Sequence, residues 1–124
     1  MKNIPIDSVR NFALMGHTGS GKTSLIDSML FKLGQVDRVG SPENGTSVAD
    51  WTEEEKAHQI SIWAKPFDGV YTAASGKTRR LVMIDTPGFA DFIGQMVTAA
   101  EVTDAALITV DASSGIQVGT HRAW

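Results

Sequence analysis

Phe12-Ala13-Leu14-Met15-Gly16-His17-Thr18-Gly19-Ser20-Gly21-Lys22-Thr23-Ser24-Leu25-Ile26 decides the reading of this 124-residue chain. It opens with a short, almost wholly apolar run, the composition of a strand buried on both faces. It closes on a helical pattern that puts Leu25, Ile26, Met29, Leu30 and Leu33 on one stripe. Between them, Gly16 to Thr23 fits G-x-x-x-x-G-K-[ST] at every constrained position. Glycines there let successive backbone N–H groups turn inward, and the positive end of the following helix adds to their field. This is a phosphate-binding loop (P-loop): Gly16, His17, Thr18, Gly19, Ser20 and Gly21 form the cradle. Lys22 neutralises phosphate charge, and Thr23 offers a hydroxyl to Mg²⁺.

Two more apolar runs, Leu81-Val82-Met83-Ile84 and Ala105 to Val110, predict further buried strands. A second helical pattern covers Asp91 to Val102, with Phe92, Ile93, Met96, Val97 and Ala100 on one stripe. Strands alternating with helices give an α/β fold with a mostly parallel sheet. Gly34 to Gln59 is polar and aperiodic and reads as a long loop, a feature that is usually functional. Thr52-Glu53-Glu54-Glu55 is a capping box and predicts a short helix within it, with Glu53, Glu54 and Glu55 as its solvated face. Ile60 to Tyr71 alternates and predicts a strand. A turn at Ser75-Gly76-Lys77 would pair it antiparallel with Arg80 to Asp85. Trp51 and Trp63 are expected to pack. Asp85-Thr86-Pro87-Gly88 follows a buried strand, where a metal partner of a P-loop belongs. Asp85 would hold the metal through water, and Gly88 would bring a backbone N–H to the terminal phosphate.

Composition narrows the classes. The chain has no cysteine, which excludes disulfide scaffolds, Cys-ligated zinc and thiol chemistry. A net charge of −3 gives no strongly basic footprint, so sequence-specific DNA binding is not expected. No apolar run approaches the roughly 18 residues of a membrane span. Met1-Lys2-Asn3-Ile4-Pro5 lacks the apolar core of a signal peptide. A cytoplasmic protein without a membrane partner is the expectation.

The P-loop, the long loop, Asp85-Thr86-Pro87-Gly88 and Val110-Asp111-Ala112-Ser113-Ser114-Gly115-Ile116-Gln117 together resemble the translational GTPases. Arg10-Asn11, Asp50 beside the acidic helix, Gln117-Val118-Gly119-Thr120 and Arg122-Ala123-Trp124 are similar to the elongation factor G-like branch. The resemblance implies a Ras-like P-loop NTPase, a three-layer sandwich whose sheet is incomplete at the C-terminal side. Residues 1–124 would be the N-terminal portion of a GTP-binding (G) domain, a piece of a longer protein and marginal as a free monomer. Switch I would span about 34–62 and switch II about 85–94. GTP and GDP would be the ligands, Mg²⁺ the cofactor and the ribosome the partner. Thr23 and Ser61 would ligate the metal directly and Asp85 through water, with Lys22 and Gly88 serving hydrolysis of GTP.

Three residues depart from the family. Gly19 stands where an aspartate is usual. Ser61 stands for the switch I threonine and keeps its hydroxyl. Phe89 stands for the histidine that positions the attacking water, and its side chain has no donor or acceptor. The chain holds no N-K-x-D, the family's guanine-reading motif. The alternatives are a nucleotide-binding module with little or no hydrolysis, and another P-loop NTPase such as an ATPase. His17, at an unconstrained motif position, is expected to be solvated or packed within the loop.

Overall fold

Strands β1 (Val9–Gly16), β2 (Lys65–Thr72), β3 (Thr78–Asp85) and β4 (Ala105–Thr109) form one sheet in the order β2-β3-β1-β4. The computed structural model describes residues 4–124; the N-terminal reading at Met1, Lys2 and Asn3 lies outside them. β1 pairs parallel with β3 and with β4, and β2 pairs antiparallel with β3 through the expected turn at Gly76. The register sets Leu14 beside Asp85 and Gly16 beside Thr109. The chain leaves β1 toward β3 on one side and later returns to β4 on the other. The carboxyl end of β1 is therefore a topological switch point, where open α/β sheets bind ligands.

Alternation along β1 divides the core. Leu14 packs with Ile26, Leu30, Ala49 and Met83 under helix α1 (Lys22–Lys32). Ala13 and Met15 pack with Met96 and Ala99 of helix α3 (Ile93–Glu101) on the opposite face, with Ala123 of helix α4 (Val118–Ala123) alongside. The result is a mixed α/β fold with helices on both faces of an open, mostly parallel sheet. Ala105, Ala106 and Leu107 of β4 are exposed, an apolar stretch at the edge of the sheet. Among the described residues no helix is long and apolar enough to cross a membrane.

Four expectations need correction. The strand predicted over Ile60 to Tyr71 begins only at Lys65. The N–H groups of Ile62 and Trp63 donate to Glu55 Oε1, and that of Ala64 donates to Gln95 Oε1, so side chains take the place of a sheet partner. The capping box at Thr52 forms in full and starts helix α2 (Glu53–His58), but Glu55 is wholly buried rather than solvated. Trp51 and Trp63 do not pack in the core; both are more than half exposed. In α3 the buried face is Met96 and Ala99, whereas Ile93, Val97 and Ala100 of the expected stripe are exposed, because the sheet covers only a narrow strip of the helix.

Candidate functional site

β1 ends at Gly16, whose φ is +138° and whose missing side chain matters. A Cβ there would lie 2.5 Å from the Thr109 carbonyl oxygen. The turn reaches Gly21 and α1 starts at Lys22. The Lys22 side chain curls back into the loop, and Nζ donates to the carbonyls of Gly16 at 3.0 Å and His17 at 2.7 Å. Burial pulls its pKa down to about 8 against the opposing pull of Asp85 and Asp50. Ser20 Oγ donates to the His17 carbonyl, and its hydroxyl lies 2.6 Å from that of Thr109 on β4. His17 packs within the loop region: its Nδ1 accepts the Gly119 N–H at 3.2 Å. Gly19 is exposed, with open space where a side chain would stand.

At the end of β3, Asp85 is buried between the P-loop and the long loop. Its Oδ2 accepts the Thr23 hydroxyl at 3.3 Å, and its Oδ1 has no partner. Burial, and then the nearby Asp50 charge, push its pKa up to about 7; Lys22 and the Thr23 hydroxyl pull the other way. Thr86 donates its hydroxyl to the Leu14 carbonyl, which ties the following turn to β1. Gly88 then passes so close to the P-loop that a Cβ would collide with the Thr18 nitrogen and lie 2.6 Å from Lys22 Nζ. Phe89 is 40% exposed and lines a small recess with Ile93, Met96 and Gly119.

The long loop supplies the third wall. Ser61 Oγ lies 3.0 Å from Thr23 Oγ1 and donates to Asp50 Oδ1 at 2.7 Å. Asp50 is buried, and that burial raises its pKa despite the Ser61 hydroxyl and the Lys65 charge. Sequence reasoning assigns Asp50 no place in the site, since nothing in its neighbours marks which aspartate of a polar loop will turn inward. Glu55 escapes it for a different reason. Its capping role is local and visible, while its bonds to Lys65, Ile62 and Trp63 depend on how the loop closes. Burial works to raise the Glu55 pKa, yet Lys65, the Ile62 N–H and Thr52 outweigh it and hold the carboxyl below its usual range.

These walls enclose a cavity of about 200 Å³. The P-loop from Thr18 to Ser24 forms one side, Asp50 and Gln59 to Ser61 the other, and Gly88 closes the end. The space is below the roughly 300–1,000 Å³ of pockets that swallow a whole small molecule, and suits a phosphate chain. The hydroxyls of Thr23 and Ser61 and the unpartnered oxygen of Asp85 are hard oxygen donors in one place, the set a magnesium ion takes.

A glycine-built phosphate cradle at the switch point of such a sheet, with a buried aspartate ending the neighbouring strand, defines a P-loop NTPase of the Ras-like kind. The sequence model of the elongation factor Tu GTP binding domain matches residues 7–124, and the chain belongs to that family, the G domains of translational GTPases. A crystal structure of a protein from Thermus thermophilus superposes with a TM-score of 0.87 at 40% identity, over 94% of this chain and 17% of that one. A bacterial selenocysteine-specific elongation factor, EF-Sec, gives 0.64 at 25% identity, over 92% of this chain and 17% of the other. The chain thus spans about a sixth of the length of each of these proteins.

Proposed function

We propose that residues 1–124 act as the N-terminal portion of the G domain of an elongation factor G-like translation factor. The domain is a cytoplasmic, Mg²⁺-dependent GTP/GDP switch that works on the ribosome. The observation that carries this reading is the convergence of Thr23, Ser61, Lys22 and the Gly88 backbone on one cavity, with Asp85 bonded behind Thr23. In it, the P-loop amides and Lys22 hold the β- and γ-phosphates. Thr23 and Ser61 hold the metal directly and Asp85 through water, and the Gly88 N–H reaches toward the γ-phosphate. Bound Mg²⁺ supplies charge neutralisation on the phosphate oxygens. Hydrolysis is in-line attack of water on the γ-phosphorus with rupture of the β–γ bridge, giving GDP and phosphate. The loop over 34–62 is switch I and the segment over 85–94 is switch II, ordered by the triphosphate and released with its loss.

Calorimetric titration of Mg·GTP and Mg·GDP tests the site. Binding by the natural chain and a loss of about 100-fold or more in Lys22→Ala are expected, because a buried ammonium–phosphate contact is charge-assisted. No binding in the natural chain removes the switch reading.

A second reading, a nucleotide-binding module with little hydrolysis, is favoured by Phe89. A phenyl ring cannot orient a water, and among the described residues no titratable side chain lines the recess beside it except Arg122. Phosphate release with and without ribosomes separates the two. Background rates in both conditions, with binding intact, select the second.

A further inference from the structure

Lys65 is the first residue of β2, paired in register with Asp85 of β3, and its side chain is 9% exposed. It does not face the phosphate cavity. Its ammonium lies 2.5 Å from Glu55 Oε2 and 3.8 Å from Asp50 Oδ1, donates to the Ala49 carbonyl, and stands 5.9 Å from the centre of the Trp51 ring. One charge on the sheet therefore touches three consecutive residues of the long loop and the helix inside it.

Glu55 completes the connection. Its Oε2 also accepts the Thr52 N–H and hydroxyl, and its Oε1 accepts the N–H groups of Ile62 and Trp63. The arm before α2 and the arm after it are thus tied to one carboxylate. That carboxylate is wholly buried, and a buried carboxylate without a counter-charge is strongly unfavourable. Among the described residues, Lys65 is the only cation in an ion pair with Glu55 or Asp50. Lys22 is turned to the carbonyls of Gly16 and His17 instead. Asp50 in turn accepts the Ser61 hydroxyl, which sits against Thr23.

We propose that Lys65 is a positioning residue: by neutralising Glu55 and Asp50 it holds the loop closed and keeps Ser61 against Thr23 at the phosphate cavity. The inference deepens the function proposed above and rests on it for its nucleotide arm. Its first arm needs no nucleotide. In Lys65→Met, exchange of the Thr52, Ile62 and Trp63 amides should accelerate by about tenfold or more, with β1 and β3 amides unchanged. Lys65→Arg, which keeps the charge, should stay within about threefold of the natural chain. A uniform acceleration through the sheet, or none at the three amides, overturns the proposal. If Lys65→Met does not fold, the double variant Lys65→Met with Glu55→Gln leaves no unpaired buried charge at position 55. It should fold and show the same local loosening, and natural protection in it overturns the proposal.

The second arm compares affinities for Mg·GTP and Mg·GDP. The preference for the triphosphate should fall by about fivefold or more in Lys65→Met, since Ser61 would no longer be held over the cavity. An unchanged preference overturns the positioning role even where exchange rises. Failure of the natural chain to bind either nucleotide strikes the proposed function, while the exchange pattern still decides the case of Lys65.

Discussion

Between Gly16 and Thr23 the chain is shaped by its backbone; between Gly34 and Ile62 it is shaped by a few side chains. The first segment needs glycine at the close approach to Thr109 and a helix start at Lys22, both written into eight consecutive residues. The second is held by Asp27 at its near arm, where Oδ1 accepts the Val48 N–H, and by Glu55 and Lys65 at its far arm. A backbone-built wall keeps its shape through many side-chain changes. A charge-built wall depends on partners far apart in sequence, and it opens when one of them is lost. The phosphate cavity lies between a wall of each kind.

Asp85 belongs to both walls, through Thr23 on one side and the Asp50 charge on the other, and carries the largest expected effect. Its folded pKa of about 7 lies above its ordinary value of 3.8, so the fold favours the protonated carboxyl. Stability from this group is full below about pH 4 and is lost as the pH rises through about 7. Asp85→Asn mimics the protonated form. Without nucleotide, the variant should match the natural chain near pH 4 and exceed it near pH 8 by an amount on the order of a few kcal/mol, read from urea midpoints. It should also lose metal-dependent nucleotide binding. A stability gap that does not change with pH would refute the raised pKa of this carboxylate.

Gly88→Ala tests the backbone-built side alone. Its new methyl would clash with the Thr18 and His17 backbone and with the Lys22 ammonium together, so the Gly88 turn or the P-loop must shift. We expect Mg·GTP affinity to fall by about tenfold or more, with little change in the exchange of the 49–63 amides. Gly94→Ala is the control, because a Cβ at Gly94 meets nothing within 4 Å. Equal binding losses in both variants would show that the close approach at Gly88 has no part in the site.

The same division explains what is legible in the sequence. Strand positions, the two helical layers and the P-loop rest on short-range signals: an apolar run, a stripe, eight residues of motif. The start of β2 does not, because the donors of Ile62, Trp63 and Ala64 are taken by Glu55 and Gln95, and Gln95 lies on another helix. The capping role of Glu55 is legible through one set of bonds; its burial is not, since the buried ammonium it meets belongs to the next strand. Asp50 carries the same lesson. Its inward turn is decided by Ser61 and Lys65, eleven and fifteen residues away.

Gln59 provides the smallest and most discriminating test of the charge-built wall. It caps α2 at φ 54° and ψ 39°, the one left-handed non-glycine position among the described residues. A side chain there is strained, and glycine removes that strain while adding freedom to the unfolded chain. Gln59→Gly should therefore stabilise the fold by about 0.5–1 kcal/mol, or about 2–4 °C in melting midpoint. Yet Gln59 Nε2 also donates to the Glu43 carbonyl at 3.3 Å, joining the two arms of the loop at the rim of the cavity. Gln59→Ala loses that bond and keeps the strain, so it should be no more stable than the natural chain. Faster nucleotide release in both variants, with a higher melting midpoint only in Gln59→Gly, would separate the loop's closure from the fold's stability. A fall in midpoint for both would mean that the lost Glu43 bond outweighs the relief of the left-handed backbone, and that the bond sets the energy of this corner.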